Sequence, residues 1–278
     1  MPRLCQFRAV PSESHQRGSG ILEVDLAVRD GRTVLRHLHQ VSPLRALFPT
    51  PERDEALTVA VVNTSGGLAG GDRLAITIHA EAGARATISA PAAEKIYRSL
   101  GPPSRVDCTL RLGAGAMLEW IPQETILFNG ARLRRRITAE LAPGAVLLAA
   151  ETLVFGRSAR GESFAQGALV DGWRIRREGA LVWADGVAFE PPGALLDRFG
   201  FAGAEALATL IFCADDAALL RDPLRDSGAL ATLPAKGLLV ARWLGAALNV
   251  RRDLAAALCL VRAAALGLPA RLPRLWTT

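Results

Sequence analysis

Short runs in which apolar and polar residues alternate dominate the first two thirds of the chain. Residues 23–29, 73–79 and 132–138 all follow this pattern. Because successive side chains of a strand point to opposite faces, a period of two predicts half-buried β-strands. The runs are short and end at Gly or Pro, which is typical of antiparallel strands. We therefore predict mostly strands between residues 20 and 190.

A weak repeat lies inside this region. Gly83, Gly115 and Gly144 each precede an Ala between two apolar runs, at spacings of 32 and 29 residues. Three such units predict stacked layers of strands, either sheet over sheet or a β-helix-like coil. Gly-Ala is also a common dipeptide in an Ala-rich chain, so the spacing alone does not choose between a repeat and chance.

The last third changes character. Residues 215–226 and 245–266 carry apolar side chains at helical spacing, with Leu219 and Leu248 among those expected to face the core. The predicted fold is mainly β, a β-helix-like stack of short strands in layered sheets, with two α-helices in the C-terminal third. Without a low-complexity linker, residues 1–278 are predicted to form a single domain with a flexible N-terminus, 1–19.

Composition favours a folded protein in a reducing compartment. Half of the residues are hydrophobic, which argues against a disordered chain. The four cysteines are far apart and none forms a C-x-x-C pair, so neither a disulfide framework nor a zinc site is expected. Residues 1–20 lack an apolar signal sequence, and no run reaches the length of a membrane span. We predict a cytoplasmic location and no membrane partner.

The positive charge is carried almost entirely by arginine. The net charge is +6, and the arginines cluster at residues 132–136 and 174–177. Such clusters suit either nucleic acid or a protein interface. Aromatic residues make up only 5% of the chain, and none is interleaved with the arginines as a stacking platform would require. A protein interface is therefore favoured and no nucleic-acid partner is expected.

A glycine-rich run from Asn63 to Asp72 invites comparison with phosphate-binding loops. A P-loop requires Lys after its last Gly, but Asp72 stands there and would repel phosphate. The alternating residues 73–80 predict a strand, whereas a phosphate loop opens a helix. We interpret the run as a tight crossing between strands, in which Asp72 caps a turn or contacts a cation.

Two further motifs are weak. The segment Gly156–Gly161 resembles the nucleophile elbow of hydrolases, but it has one residue too many before its second Gly. His37 and His39 place two imidazoles on one face of a strand, which suits zinc or nickel, although two ligands alone make a weak site.

Carboxylates are the most numerous chemical candidates. They are Asp72, Glu94, Glu119, Glu124, Glu151, Glu162 and Asp185. Two of them on a β scaffold are sufficient for glycoside hydrolysis, so a carboxylate-dependent hydrolase remains an alternative. Equally, carboxylates inside a β protein suit a polar path for a divalent cation.

Six segments in order resemble the UreD family of urease accessory proteins. They are Pro43–Pro49, Asn63–Asp72, Pro91–Arg98, Leu118–Phe128, Gly156–Glu162 and Pro273–Trp276. Departures from the family pattern are small: Ser89-Ala90 stands in place of a Thr pair, and Asn129 stands where Asp is usual.

The resemblance implies a chaperone without enzymatic activity that assists nickel insertion into urease. Family members bind the urease apoprotein and a second accessory protein of the UreF type, which docks a nickel-carrying GTPase of the UreG type. The family fold is a β-helix-like stack with two helices, and an internal tunnel is thought to conduct nickel. No organic cofactor is implied.

Nickel in transit requires weak, exchangeable ligands, because tight binding would stop it. On this basis the candidate metal contacts are Asp72, Glu94, Glu119 and Asp185. Arginine and tryptophan dominate binding hot spots, so the candidate partner contacts are Arg134, Arg136, Arg160 and Trp276.

Overall fold

A computed structural model describes residues 17–190 and 192–276, so the predicted flexible terminus lies largely outside the described residues. The first nine strands are β1 (Ser19–Arg29), β2 (Arg32–Val41), β3 (Leu44–Leu47), β4 (Leu57–Asn63), β5 (Arg73–Ala80), β6 (Arg85–Ser89), β7 (Glu94–Ile96), β8 (Ser104–Leu112) and β9 (Met117–Ile121). The remaining strands are β10 (Thr125–Leu127), β11 (Arg132–Leu141), β12 (Val146–Arg157), β13 (Glu162–Ser163), β14 (Ala168–Arg177), β15 (Ala180–Phe189), β16 (Ala206–Cys213), β17 (Leu230–Ala235) and β18 (Leu238–Gly245). The α-helices are α1 (Arg221–Asp226) and α2 (Ala247–Ala265). Among these residues, no helix is long and apolar enough to cross a membrane.

Two sheets share the strands. The first sheet has the order β15-β14-β11-β8-β5-β1-β2, and the second runs β17-β18-β16-β12-β9-β6-β4-β3. From β4 to β12 the chain alternates between the sheets, and the neighbours β5-β8-β11-β14 and β4-β6-β9-β12 pair in parallel. The predicted β-helix-like stack is therefore confirmed. The expectation of antiparallel strands is wrong for this central part, because each coil returns in the same direction.

The repeated glycines form the corners of the coil. Gly83, Gly115 and Gly144 have φ values of +71°, +64° and +69°, which L side chains rarely adopt. The corners stack, since Gly83 N donates to Ala114 O at 2.9 Å and Gly115 N donates to Pro143 O at 3.1 Å. The repeat is thus real, and each glycine marks a crossing from the first sheet to the second.

The second sheet is buried on both faces. Leu118 and Trp120 of β9 belong to the core between the two sheets, whereas Met117 and Ile121 belong to the core beneath α2. The polar side chains of its central strands therefore point either into the space between the two sheets or toward α2. This division decides the environment of Glu119 and Glu151, since the first contacts α2 and the second contacts the first sheet.

Both predicted helices are present, and their apolar faces differ in part from expectation. Leu254, Leu258 and Val261 of α2 are buried as predicted, but Leu248 is 83% exposed. Leu248 lies two residues before the buried Val250, which places it about 200° around the helix. Leu219 is 74% exposed, because it lies in a 3₁₀ turn, Ala217–Leu220, that precedes α1.

Candidate metal path between the sheets

A cavity of about 200 Å³ lies between the two sheets, and it is called the inner cavity below. Its walls are mainly apolar, with Ile76 and Ile137 on the first sheet and Ile88 on the second. Among the polar groups that line it are Glu94, Thr125, Arg135 and Glu151. A mostly apolar cavity with a few converging polar groups is the usual form of a binding site or passage.

Glu94 is the first residue of β7 and is half-buried on the wall of this cavity. Asn63 Nδ2 donates to both carboxylate oxygens, at 3.1 Å and 3.2 Å. Burial raises the pKa of Glu94 to about 7, against the smaller lowering effects of the Asn63 hydrogen bond and of Arg135. Glu94 therefore exchanges a proton near neutral pH.

Arg135 joins two carboxylates at the far wall. Its Nε donates to Asp171 Oδ1 at 2.8 Å, and its Nη2 lies 2.7 Å from Asp171 Oδ2 and 2.9 Å from Glu151 Oε2. Nη1 donates to Thr125 Oγ1 at 3.1 Å. Residues 135 and 171 are opposite each other in the register of β11 and β14, so the sheet itself aligns this bidentate pair.

Glu151 belongs to the second sheet and contacts Arg135 from the side opposite the first sheet. Trp173 Nε1 donates to its Oε2 at 3.2 Å, in addition to the contact with Arg135. Burial raises the pKa of Glu151, while Arg135 opposes that increase. The result is a buried carboxylate that is held by one cation and by two indole hydrogen bonds, the second from Trp120 Nε1 to Oε1 at 3.5 Å.

A second cavity, of about 30 Å³, lies beyond Glu151 and is lined by Asp171, Asp185 and Arg242. Asp185 forms an ion pair with Arg242, whose Nε is buried without a hydrogen-bond partner. A more open groove on the first sheet is lined by Arg135, Asp171 and Asp185 as well. Gly172 and Gly186 are paired in register there, so no side chain covers the backbone at that point.

The carboxylates thus follow one another, with Glu94 on the inner cavity, Glu151 and Asp171 on either side of Arg135, and Asp185 on the second cavity. In the part of the chain that the structure describes, no three His, Cys, Asp or Glu residues gather into a group that would hold a metal ion. One or two carboxylates with water suit a divalent cation that exchanges, and not one that is held permanently.

The other two predicted metal contacts lie elsewhere. Asp72 accepts hydrogen bonds from Gly18 N and Ala69 N, both at 2.8 Å, and so closes the turn before β5. Glu119 points toward α2, where Arg262 Nε donates to its Oε1 at 2.8 Å. The sequence contains both carboxylates, but only the packing of the second sheet against α2 directs Glu119 away from the inner cavity.

The proposed partner residues differ in exposure. Arg134 and Arg136 lie exposed on β11, and Arg160 is exposed in a 3₁₀ turn, Ser158–Arg160. Trp276 is only 6% exposed, and its Nε1 donates to Ile121 O at 2.9 Å. The indole of Trp276 therefore fastens the tail to the second sheet and offers little free surface.

The elbow-like segment and the histidine pair, the two weak motifs of the sequence, both lie on the surface. Ser158, within the elbow-like segment, is exposed beside an ion pair between Arg157 and Glu162. His37 and His39 are exposed on β2, where His37 is opposite Asp25 in the register with β1. Two of the carboxylates that the hydrolase alternative could use already have cationic partners, since Glu119 pairs with Arg262 and Glu124 with Arg251.

Three residues that lie between the inner cavity and the second cavity were absent from the predicted metal contacts. They are Arg135, Glu151 and Asp171. A signal for Arg135 existed in the sequence. The alternation that buries Leu133 and Ile137 also directs residue 135 inward, between the exposed Arg134 and Arg136. An inward arginine predicts an inward carboxylate, because a buried charge is rare without a partner.

Comparison with known proteins identifies the family. The sequence model described as UreD urease accessory protein matches residues 18–277. A protein named urease accessory protein UreD from Granulibacter bethesdensis is 50% identical over 83% of this chain and 99% of its own length. The UreD proteins of Bradyrhizobium sp. BTAi1 (UreD 3) and Magnetococcus marinus are 43% and 41% identical over 94% and 97% of this chain, and over 94% and 96% of their own lengths. This chain therefore belongs to the UreD family of urease accessory proteins.

Proposed function

We propose that this protein is a chaperone without catalytic activity that assists the insertion of nickel into urease. In this role it binds the urease apoprotein in the cytoplasm and recruits a UreF-type accessory protein, through which a UreG-type GTPase supplies Ni²⁺. The observation that carries the proposal is the succession of carboxylates between the sheets, from Glu94 past the Glu151–Asp171 pair to Asp185. Membership of the UreD family supports the link to urease.

The physical argument rests on the balance between entry and release. An ion enters a path only where ligands replace part of its hydration shell, and it leaves only where those ligands hold it weakly. Oxygen ligands bind nickel less tightly than thiolate or imidazole cages do. Carboxylates that line each cavity in ones and twos, within mainly apolar walls, meet both conditions.

The test is urease activation in cells that co-express urease and its accessory proteins with variants of this chain. Glu94→Gln and Asp185→Asn are expected to lower the nickel content of purified urease and its activity together. Glu140→Gln is the matched control, because Glu140 is an exposed carboxylate on the outer face of β11 that pairs with Arg111 at 3.4 Å. A pull-down with tagged urease separates a loss of transport from a loss of assembly. Normal activation in a strain that lacks this protein would contradict the proposal.

Partner binding is assigned in the same proposal to the exposed arginines. Arg134, Arg136 and Arg160 present charged forks that suit carboxylates on a protein partner. Charge reversal at Arg134 and Arg136 is expected to weaken the pull-down, more strongly at low salt than at high salt. Charge reversal at Arg252, which is exposed on α2, serves as the control.

A further inference from the structure

The guanidinium of Arg135 stands where the inner cavity and the second cavity meet. Arg135 and Glu151 line the inner cavity, while Glu151 and Asp171 line the second. The guanidinium contacts both carboxylates, at 2.9 Å and 2.7 Å, and all three side chains are at most 9% exposed. A cation that moves between the cavities past these carboxylates therefore meets the guanidinium first.

The charges of this group are unequal. Arg135 brings one positive charge to two carboxylates, and unbalanced buried charge is unfavourable. A divalent cation in the position of the guanidinium would balance both carboxylates. The Glu151–Asp171 pair is thus better matched to a divalent ion than to the arginine it holds.

The displaced guanidinium has space and a partner. The inner cavity of about 200 Å³ adjoins it, and Glu94 lies on the wall of the same cavity. Arg135 Nη1 donates to Thr125 Oγ1 at 3.1 Å, and Thr125 is opposite Glu94 in the register of β10 and β7, so Glu94 is the next carboxylate on that side. A rotation of the long arginine side chain into the cavity would exchange one carboxylate partner for another.

Resting on the function proposed above, we propose that Arg135 is the gate of the metal path. The guanidinium occupies the divalent-cation site formed by Glu151 and Asp171, and Ni²⁺ passes by displacing it toward Glu94. The returning guanidinium then competes with the ion for the same carboxylates. This competition keeps the site from retaining nickel, so Arg135 both closes the path and promotes release.

The experiment measures nickel binding by the full-length chain with nickel chloride as the probe. Arg135→Gln removes the competing cation, so nickel is expected to bind about tenfold more tightly or better than in the original protein. In cells, the same variant is expected to deliver less nickel to urease because the ion is retained. Arg111→Gln is the matched control, since Arg111 is exposed on the neighbouring strand β8 and lies 3.4 Å from Glu140.

Two further variants keep the test decisive. Adding Glu151→Gln to Arg135→Gln is expected to abolish the gain in nickel affinity, because one of the two ligands is lost. Arg135→Lys retains the positive charge but makes fewer hydrogen bonds, so a smaller gain in nickel affinity is expected. If thermal unfolding shows that Arg135→Gln does not fold, Arg135→Lys is used in its place. Unchanged affinity in the folded Arg135 variant, or a gain that survives Glu151→Gln, would overturn the gate. The binding measurement is independent of urease, so a failed gate is distinguishable from a failed chaperone function.

Discussion

The Nε atom of Arg262 lies 2.8 Å from Oε1 of Glu119, and neither side chain has any solvent exposure. The pair joins α2 to the centre of the second sheet. Arg262 also pairs with Glu55 and donates to Arg271 O, so one guanidinium connects the helix, the sheet, the segment before β4 and the C-terminal tail. Such a group is costly to disrupt, because each partner left behind is a buried charge.

Replacement of Arg262 by Met is expected to lower the free energy of unfolding by about 3–5 kcal/mol, measured by urea denaturation. Arg252→Met on the same helix is the control, since Arg252 is 71% exposed and pairs with the adjacent Asp253. Its expected cost is less than about 1 kcal/mol. Equal costs for the two variants would contradict the role given to the buried pair.

The glycine run between β4 and β5 offers a second test. Gly67 has a φ of +149°, and a Cβ atom there would lie 2.6 Å from Lys95 O. Gly67→Ala is therefore expected to destabilise the protein by about 1–3 kcal/mol. Gly101→Ala is the control, because no atom lies within 4 Å of the corresponding Cβ. Thermal unfolding of the two variants side by side decides whether close approach is the reason for glycine.

Replacement of Asp72 tests whether its carboxylate holds a turn or contacts the metal. Asp72→Ala removes two hydrogen bonds, to Gly18 N and Ala69 N, and is expected to destabilise the protein by about 1–3 kcal/mol. The nickel delivered per assembled complex is expected to stay constant, since the variant leaves the carboxylates of the inner cavity intact. A fall in nickel content without a fall in stability would instead assign Asp72 to the metal path.

Glu94 predicts a pH dependence of stability. Its pKa in the folded protein is about 7, above the ordinary value of 4.5, so the folded state binds more protons between these pH values. The stability that Glu94 contributes is present below about pH 4.5 and is lost as the pH rises to about 7. Glu94→Gln mimics the protonated form, so it is expected to match the original protein at pH 5 and to exceed it at pH 8, by on the order of 2 kcal/mol. Urea denaturation at both pH values measures this, and equal stability at pH 8 would refute it.

Local patterns were sufficient for the class of fold and for part of the site. The alternation of residues 132–138 predicted a strand, and the recurring glycines predicted stacked units, because strand period and left-handed turns are properties of neighbouring residues. Glu94 was also predicted as a metal contact, and the structure places it on the inner cavity. The direction of the central strands was predicted wrongly, since a short alternating run has the same appearance in either orientation.

The sequence by itself determined the period of two, which in β11 puts residue 135 on the same face as Leu133 and Ile137, although its arginine was assigned above to an interface cluster. Only the tertiary structure decided which inward residues meet. Glu119 and Glu151 are both buried carboxylates of the second sheet, yet one reaches Arg262 on α2 and the other reaches Arg135 of the first sheet. That difference follows from the register between sheets and from the position of the helix, and both depend on contacts between residues far apart in the chain. The period of two indicates that a side chain faces inward, whereas only the packing of distant segments determines which residue it contacts.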